Sequence, residues 1–209
     1  LEGRYERHLR NVDLIIGRRG GVEELSTLSM LISQRGVVFL TDTYVTLDPT
    51  AAEIAEATVL AAEQIRRFGL TPKAALLSHS NFGSHDTPSA LKMREAAALL
   101  REVAPDLEAD GEMHGDAALS PLLRQRVYPH STLEGEANLL VFPTLDAANI
   151  ALTTIKTLTE ALHVGPILLG TARPAHILTP SVTSRGIVNM TALAVVEAAA
   201  RAETGAASA

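Results

Sequence analysis

The feature that most limits the fold is a repeated switch between two hydrophobic periods. GVVFLTD (36–42) is a short unbroken apolar run of strand type, and DPTAAEIAEATVLAAEQIRRFG (48–69) then spaces its apolar residues as a helix does. Thr50 with Glu53 reads as a capping box, and Gly69 sits where a helix ends. KAALLS (73–78) is the next strand. TPSALKMREAAALLREVAP (87–105) follows as a helix capped by Thr87, with Pro88 in its first turn. DLEADG (106–111) is a weaker strand and DAALSPLLRQRV (116–127) a short helix. ANLLVFP (137–143) is a buried strand, DAANIALTTIKTLTEALH (146–163) a helix, GPILLG (165–170) a last strand and SRGIVNMTALAVVEAAARAE (184–203) a closing helix.

Short apolar strands alternating with helices predict a three-layer αβα domain with a mostly parallel sheet of about five strands. The strands are expected near 37–42, 74–78, 106–110, 138–142 and 166–169. The front segment (10–36) reads as a turn at GRRGG followed by a helix, and TGAASA (204–209) as a disordered tail. Ligands of such sheets bind beyond the carboxyl ends of the strands, which selects the loops after Asp42, Ser78, Pro143 and Gly170.

Composition removes several function classes. The net charge of -6 opposes nucleic acid and anionic membrane, and 3% aromatic residues offer few platforms for stacking bases. No cysteine is present, so disulfides, thiolate metal sites and a cysteine nucleophile are excluded. Neither a long apolar span nor a signal-peptide pattern occurs, which points to the cytoplasm. The chain opens LEGRYERHL without methionine, as a piece cut from something longer would.

Among local motifs, SHSNFGS (78–84) stands out. Serine hydroxyls, a glycine and free N–H groups at a strand end can cradle an anion, although serine and glycine also simply make loops. The candidate binding residues there are Ser78, Ser80, Gly83 and Ser84. A triad of Ser78 or Ser80 with His79 or His85 is conceivable, but neither serine occupies a G-x-S-x-G elbow. The seven histidines form no zinc-protease pattern, so no metal site is expected. GRRGG (17–21) lacks the dinucleotide-binding spacing. In GEMHGDAAL (111–119), Glu112 and Asp116 lie near a strand end, and Asp116 is read as a helix cap.

Several segments in order resemble the phosphotransacetylase (phosphate acetyl/butyryltransferase) family. They are FLTDTYVTLDPTAAEIAEATVLAAE, RFGLTPKAALLSHSNFGS, KMREAAALLRE, DGEMHGDAAL, ANLLVFPTLDAANIALTTIKTL, GPILLGTARPAHIL and IVNMTALA. The resemblance implies two αβα domains. Residues 37–171 would form the central one, residues 172–203 would complete the outer one, and residues 1–36 would be an N-terminally truncated remnant of it. In the acetyltransferases the last region resembles P-V-N-D-L-S-R-G-C-S-x-x-D-I-V-N. Its serine and arginine support phosphate and transition state, and its aspartate is the proposed base. Anchored on Pro174 and on IVN (187–189), the serine falls on Thr179, the arginine on Pro180 and the aspartate on Gly186. Ser184 and Arg185 lie five positions too late. The family's cysteine falls on Thr43. No catalytic residue is therefore expected.

ILTPSVTSRGIVNMTALAVVEA also resembles the C-terminal end of large bacterial NADP-dependent malic enzymes, in which such a half is regulatory and oligomerising. That resemblance implies a non-catalytic, acetyl-CoA-responsive domain that self-associates as a homodimer or larger. NADP and a divalent metal would belong to the missing half. Acyl-CoA phosphate binding is expected from Ser78, Ser80, Gly83, Ser84, Thr179 and Arg185, with the strand-end loop facing Arg185. An active phosphate acetyltransferase and a purely structural dimerisation module remain as alternatives.

Overall fold

A computed structural model describes residues 5–206. Its frame is a sheet of β1 (Ser26–Ser33), β2 (Gly36–Thr41), β3 (Lys73–Leu77), β4 (Glu108–Met113), β5 (Leu139–Val141) and β6 (Leu162–Leu169), in the order β4-β3-β5-β2-β1-β6. The pairings among β4, β3, β5 and β2 are parallel, whereas β1 runs antiparallel to both β2 and β6. Five strands therefore bring their carboxyl ends to one edge of a mixed sheet, and β1 alone is reversed.

Alternation along the strands sorts the core into two layers. Phe39, Leu76, Leu139 and Val141 pack against α2 (Ala51–Arg67) and α3 (Pro88–Val103). Their neighbours Leu77 and Leu140 meet α4 (Gly115–Leu119), and Leu40 meets Leu152 of α6 (Leu145–Thr159). α5 (Pro121–Val127) follows α4 directly, and α1 (Tyr5–Ile16) lies over Leu25, Leu168 and Ile177. The closing α7 (Ser184–Ala206) sends Met190 into the α2 side of the core. Each fully buried leucine contributes about 1.5–3 kcal/mol, so the two layers supply most of what holds the sheet. The helices start where their caps stand: Thr50 with Glu53 forms the full capping box, while Thr87, Ser120 and Thr144 accept from the third residue onward.

Three boundaries differ from the sequence reading. Residues 26–33 form β1 rather than a helix, because STLSMLIS pairs with β2 through a two-residue turn at Gln34 and Arg35, where Ser33 faces Gly36. Leu25, Leu28 and Leu31 imitate helical spacing, but they serve different clusters of the core. β6 begins at Leu162, inside the segment expected to be helix, since Glu160 adopts a left-handed conformation (φ 51) that stops α6. α7 continues to Ala206, past the expected start of a tail, and residues 207–209 lie outside the described residues.

Candidate functional site

The loop after β3 does form an anion cradle, and the chain fills it with its own carboxylate. Glu112, almost wholly buried, accepts the Ser80 hydroxyl at 2.7 Å, the Gly83 N–H at 2.9 Å and two Arg94 nitrogens at 3.1 Å. Its backbone carbonyl takes the Phe82 N–H. Gly83 permits the turn with φ +87, which L side chains rarely adopt. Burial alone would raise the Glu112 pKa, but Arg94, the Gly83 N–H and Ser80 overcome it and hold the carboxyl at about 2. Ser78 accepts the Ser80 N–H, and Ser84 accepts that of Asn81 while lying 3.3 Å from the Ser80 hydroxyl. Asp116 is not the helix cap; His114 holds that position, and Asp116 sits in the first turn of α4.

The residues at the other end of the chain assemble around β6. Thr179, Ser181, Val182, Thr183 and Gly186 wrap the edge strand beside His163 and Gly165, closing a cavity of about 260 Å3 with Tyr44 and Lys156. Thr179 and Ser181 share a hydrogen bond of 3.0 Å, and Thr183 accepts the Gly186 N–H. The His163 imidazole lies 3.2 Å from Ser29, whose hydroxyl is 2.8 Å from that of buried Thr43. Burial and then the charge of Lys156 push His163 down to about 4, so the ring is neutral at pH 7.

The positions matched to the family's serine, aspartate and cysteine thus converge: Thr179 and Gly186 line the cavity, and Thr43 is reached through Ser29 and His163. Thr179 keeps a hydroxyl, but Gly186 has no carboxylate and Thr43 no thiol. A Cβ built at Gly186 would stand 2.8 Å from a methyl of Val182, so an aspartate there meets a β-branched neighbour before it meets a ligand. Arg185 is exposed in the first turn of α7 and does not line the cavity, although Thr183 and Gly186 do.

The expectation that the 78–84 loop faces Arg185 is not met. β5, β2 and β1 separate β3 from β6, which is about 19 Å at roughly 4.8 Å per strand spacing. The loop's hydroxyls also turn inward toward Glu112 and one another. Asp42, at the next strand end, is likewise engaged, accepting from Thr27, Val45 and Thr46, while burial raises its pKa. Sequence reasoning missed Tyr44, Lys156, His163, Ser181 and Thr183. Thr179 and Gly186, through their alignment with the family's serine and aspartate, marked the cavity. Among the described residues no group of His, Asp and Glu could hold a metal ion, and no helix is long and apolar enough to cross a membrane.

Comparison with known proteins extends this picture. The family profile described as phosphate acetyl/butaryl transferase matches residues 1–195. An NAD-dependent malic enzyme from Rhizobium meliloti is 71% identical over 94% of this chain, and an NADP-dependent malic enzyme from Escherichia coli is 50% identical over the same share. The chain spans 26% of the length of each. A phosphate acetyltransferase from Paracoccus denitrificans is 38% identical over 88% of this chain and 60% of its own length. Among solved structures, a phosphotransacetylase from Streptococcus pyogenes superposes with TM-score 0.87 at 31% identity, covering 97% of this chain and 61% of that one.

Proposed function

Because the chain belongs to the phosphate acetyl/butyryltransferase family, we propose that it is a non-catalytic, acetyl-CoA-responsive and self-associating domain of a malic enzyme. The observation that carries this reading is the β6 cavity, where Thr179 keeps a hydroxyl at the position matched to the family's serine but Gly186 brings no carboxylate, while the position matched to the family's arginine is Pro180. General acid–base and oxyanion contacts are each worth orders of magnitude in rate, so a scaffold lacking both suits binding better than turnover.

The cavity's chemistry fits an acyl phosphate or thioester end. Lys156 supplies positive charge, and Tyr44, Thr179, Ser181 and Thr183 supply hydroxyls. At about 260 Å3 the cavity is smaller than the ~300–1,000 Å3 usual for small ligands, so it would take one end of acetyl-CoA. Arg185, next to Gly186, would meet a phosphate at the mouth. Ser78, Ser80, Gly83 and Ser84 act instead in holding the β3 loop on Glu112.

Self-association is supported by α7, whose Ile187, Val188, Val195 and Val196 are exposed. The oxidation of malate, with its pyridine nucleotide and metal, would belong to another part of the protein; the sequence has no dinucleotide fingerprint, and the described residues include no metal-ligand group. The experiment is a pair of measurements on the 209-residue chain. Calorimetry with acetyl-CoA should show saturable binding, and an assay of acetyl exchange between acetyl phosphate and CoA should show no turnover. Turnover would restore the acetyltransferase reading, and absent binding would favour a purely structural module.

A further inference from the structure

The wall of the β6 cavity includes one imidazole, His163, whose two nitrogens have opposite surroundings. Nε2 faces inward, 3.2 Å from the Ser29 hydroxyl, which lies 2.8 Å from that of Thr43. Ser29 and Thr43 are both buried. The backbone passes close on the same side: Gly165 has φ +143, and a Cβ there would stand 3.2 Å from Nε2. The inner edge of the ring is therefore fixed. Nδ1, by contrast, has no partner among the described residues and is not sealed from solvent.

The groups facing the ring from each neighbouring element are few. Lys156 of α6 is the charge that acts on it. Tyr44, in the loop after β2, stays a neutral phenol because burial raises its pKa. Segment 179–186 brings the hydroxyls of Thr179, Ser181 and Thr183, β1 brings Ser29, and no carboxylate lines the cavity. Burial and Lys156 both disfavour a second positive charge, so the ring is neutral.

An oxyanion beside Lys156 would remove both obstacles, since it cancels the lysine's repulsion and replaces lost hydration with a charged acceptor. The imidazolium could then donate Nδ1–H to the anion and Nε2–H to the Ser29 hydroxyl, leaving the inner edge as it stands. A neutral ring with its proton on Nε2 would instead turn a lone pair toward the anion. Resting on the reading of this cavity as the seat of one end of an acyl-CoA or acyl phosphate, we propose that His163 selects the ligand by charge. It takes one proton from solvent when a phosphoryl or similar oxyanion enters, and favours that anion over a neutral thioester.

Calorimetric titration of the 209-residue chain with sulfate, which stays a dianion throughout, tests this in buffers of differing ionisation heat. Between the ordinary histidine value of 6.5 and about 4, uptake should approach one proton per sulfate bound, and affinity should rise by up to about tenfold for each pH unit lost. His163→Gln should still take sulfate beside Lys156 but without that proton. On the parent chain, the His163 ring signals in NMR should titrate at higher pH with sulfate than without, a readout that needs no variant to fold. Sulfate that fails to bind, that binds without proton uptake, or that draws the same uptake in His163→Gln overturns the proposal. Acetyl-CoA binding alongside any of those results leaves the proposed function standing while His163 loses its role. Sulfate-linked uptake with no binding of acetyl-CoA supports His163 and removes the acetyl-CoA reading instead.

Discussion

Ser80 sets its hydroxyl 2.7 Å from a carboxylate oxygen of Glu112, 32 positions later in the chain, and both residues are buried. This contact joins the loop after β3 to the end of β4, and Arg94 of α3 closes the ring from outside. The loop's shape is therefore set by an internal charge rather than by a ligand.

Glu112→Gln should cost about 2–4 kcal/mol in chemical denaturation, near the lower end of values for broken buried pairs because Arg94 remains partly solvated. The same group gives an acid limb. Its folded pKa of about 2 lies below the ordinary 4.5, so its stabilisation is complete above pH 4.5 and fades as pH falls toward 2. The variant should lack that limb. An unchanged acid profile would show that the carboxylate is not held as described.

His163 acts in a higher window. Its folded pKa of about 4 lies below the ordinary 6.5, because burial and Lys156 disfavour the charged ring. The unfolded chain binds the proton first, so stability should decline as pH drops from 6.5 to 4. His163→Gln should flatten this stretch while sparing the limb below pH 4. Thermal midpoints measured across the two windows separate the effects.

Arg124 was not singled out in the sequence, yet it is 2% exposed and donates to the carbonyls of Ala117, Ala118, Leu133 and Gly135. It ties α4 to the strand-free stretch leading into β5. Arg124→Met keeps much of the volume but strands those carbonyls, and should cost about 3–5 kcal/mol on the scale of lost buried charged partners. A variant as stable as the parent in urea would show that water reaches these carbonyls.

At the β6 cavity, Lys156→Ala and Arg185→Ala should each weaken acetyl-CoA binding by about ten- to a hundredfold, as loss of a charge-assisted contact does. Calorimetry distinguishes them. If only Lys156→Ala has an effect, the ligand stays within the cavity and Arg185 points into water.

The helices α2 and α3 were legible because cap and apolar period agree at their starts, at Thr50 and Thr87, and α6 from its period alone, its Thr144 cap lying outside the expected segment. β1 was not, since its leucines fall at helical spacing while Ser26, Thr27 and Ser29 are buried, Thr27 and Ser29 bonding to Asp42 and Thr43 just after β2. For the site, sequence marked Thr179 and Gly186 through alignment but could not show that they share a cavity with Lys156 and His163, which lie on other elements. The SHSNFGS loop was read as a cradle for a ligand, and in the structure Ser80 and Gly83 bond Glu112. Its occupant was missed because Glu112 comes from a different strand, and no local pattern announces a carboxylate folding back.

β5 has three residues and lies between β2 and β3, parallel to both. The β1-β2 hairpin and the β3-α3-β4 unit are each continuous in sequence, but nothing joins their strands until residues 139–141 arrive. During synthesis from the amino end, two half-sheets would emerge with facing edges open and their apolar layers half covered, a state prone to pairing with other chains. The hazardous interval in the life of this domain thus falls on the ribosome, between the emergence of β4 and that of β5, and a holding chaperone would be needed most there.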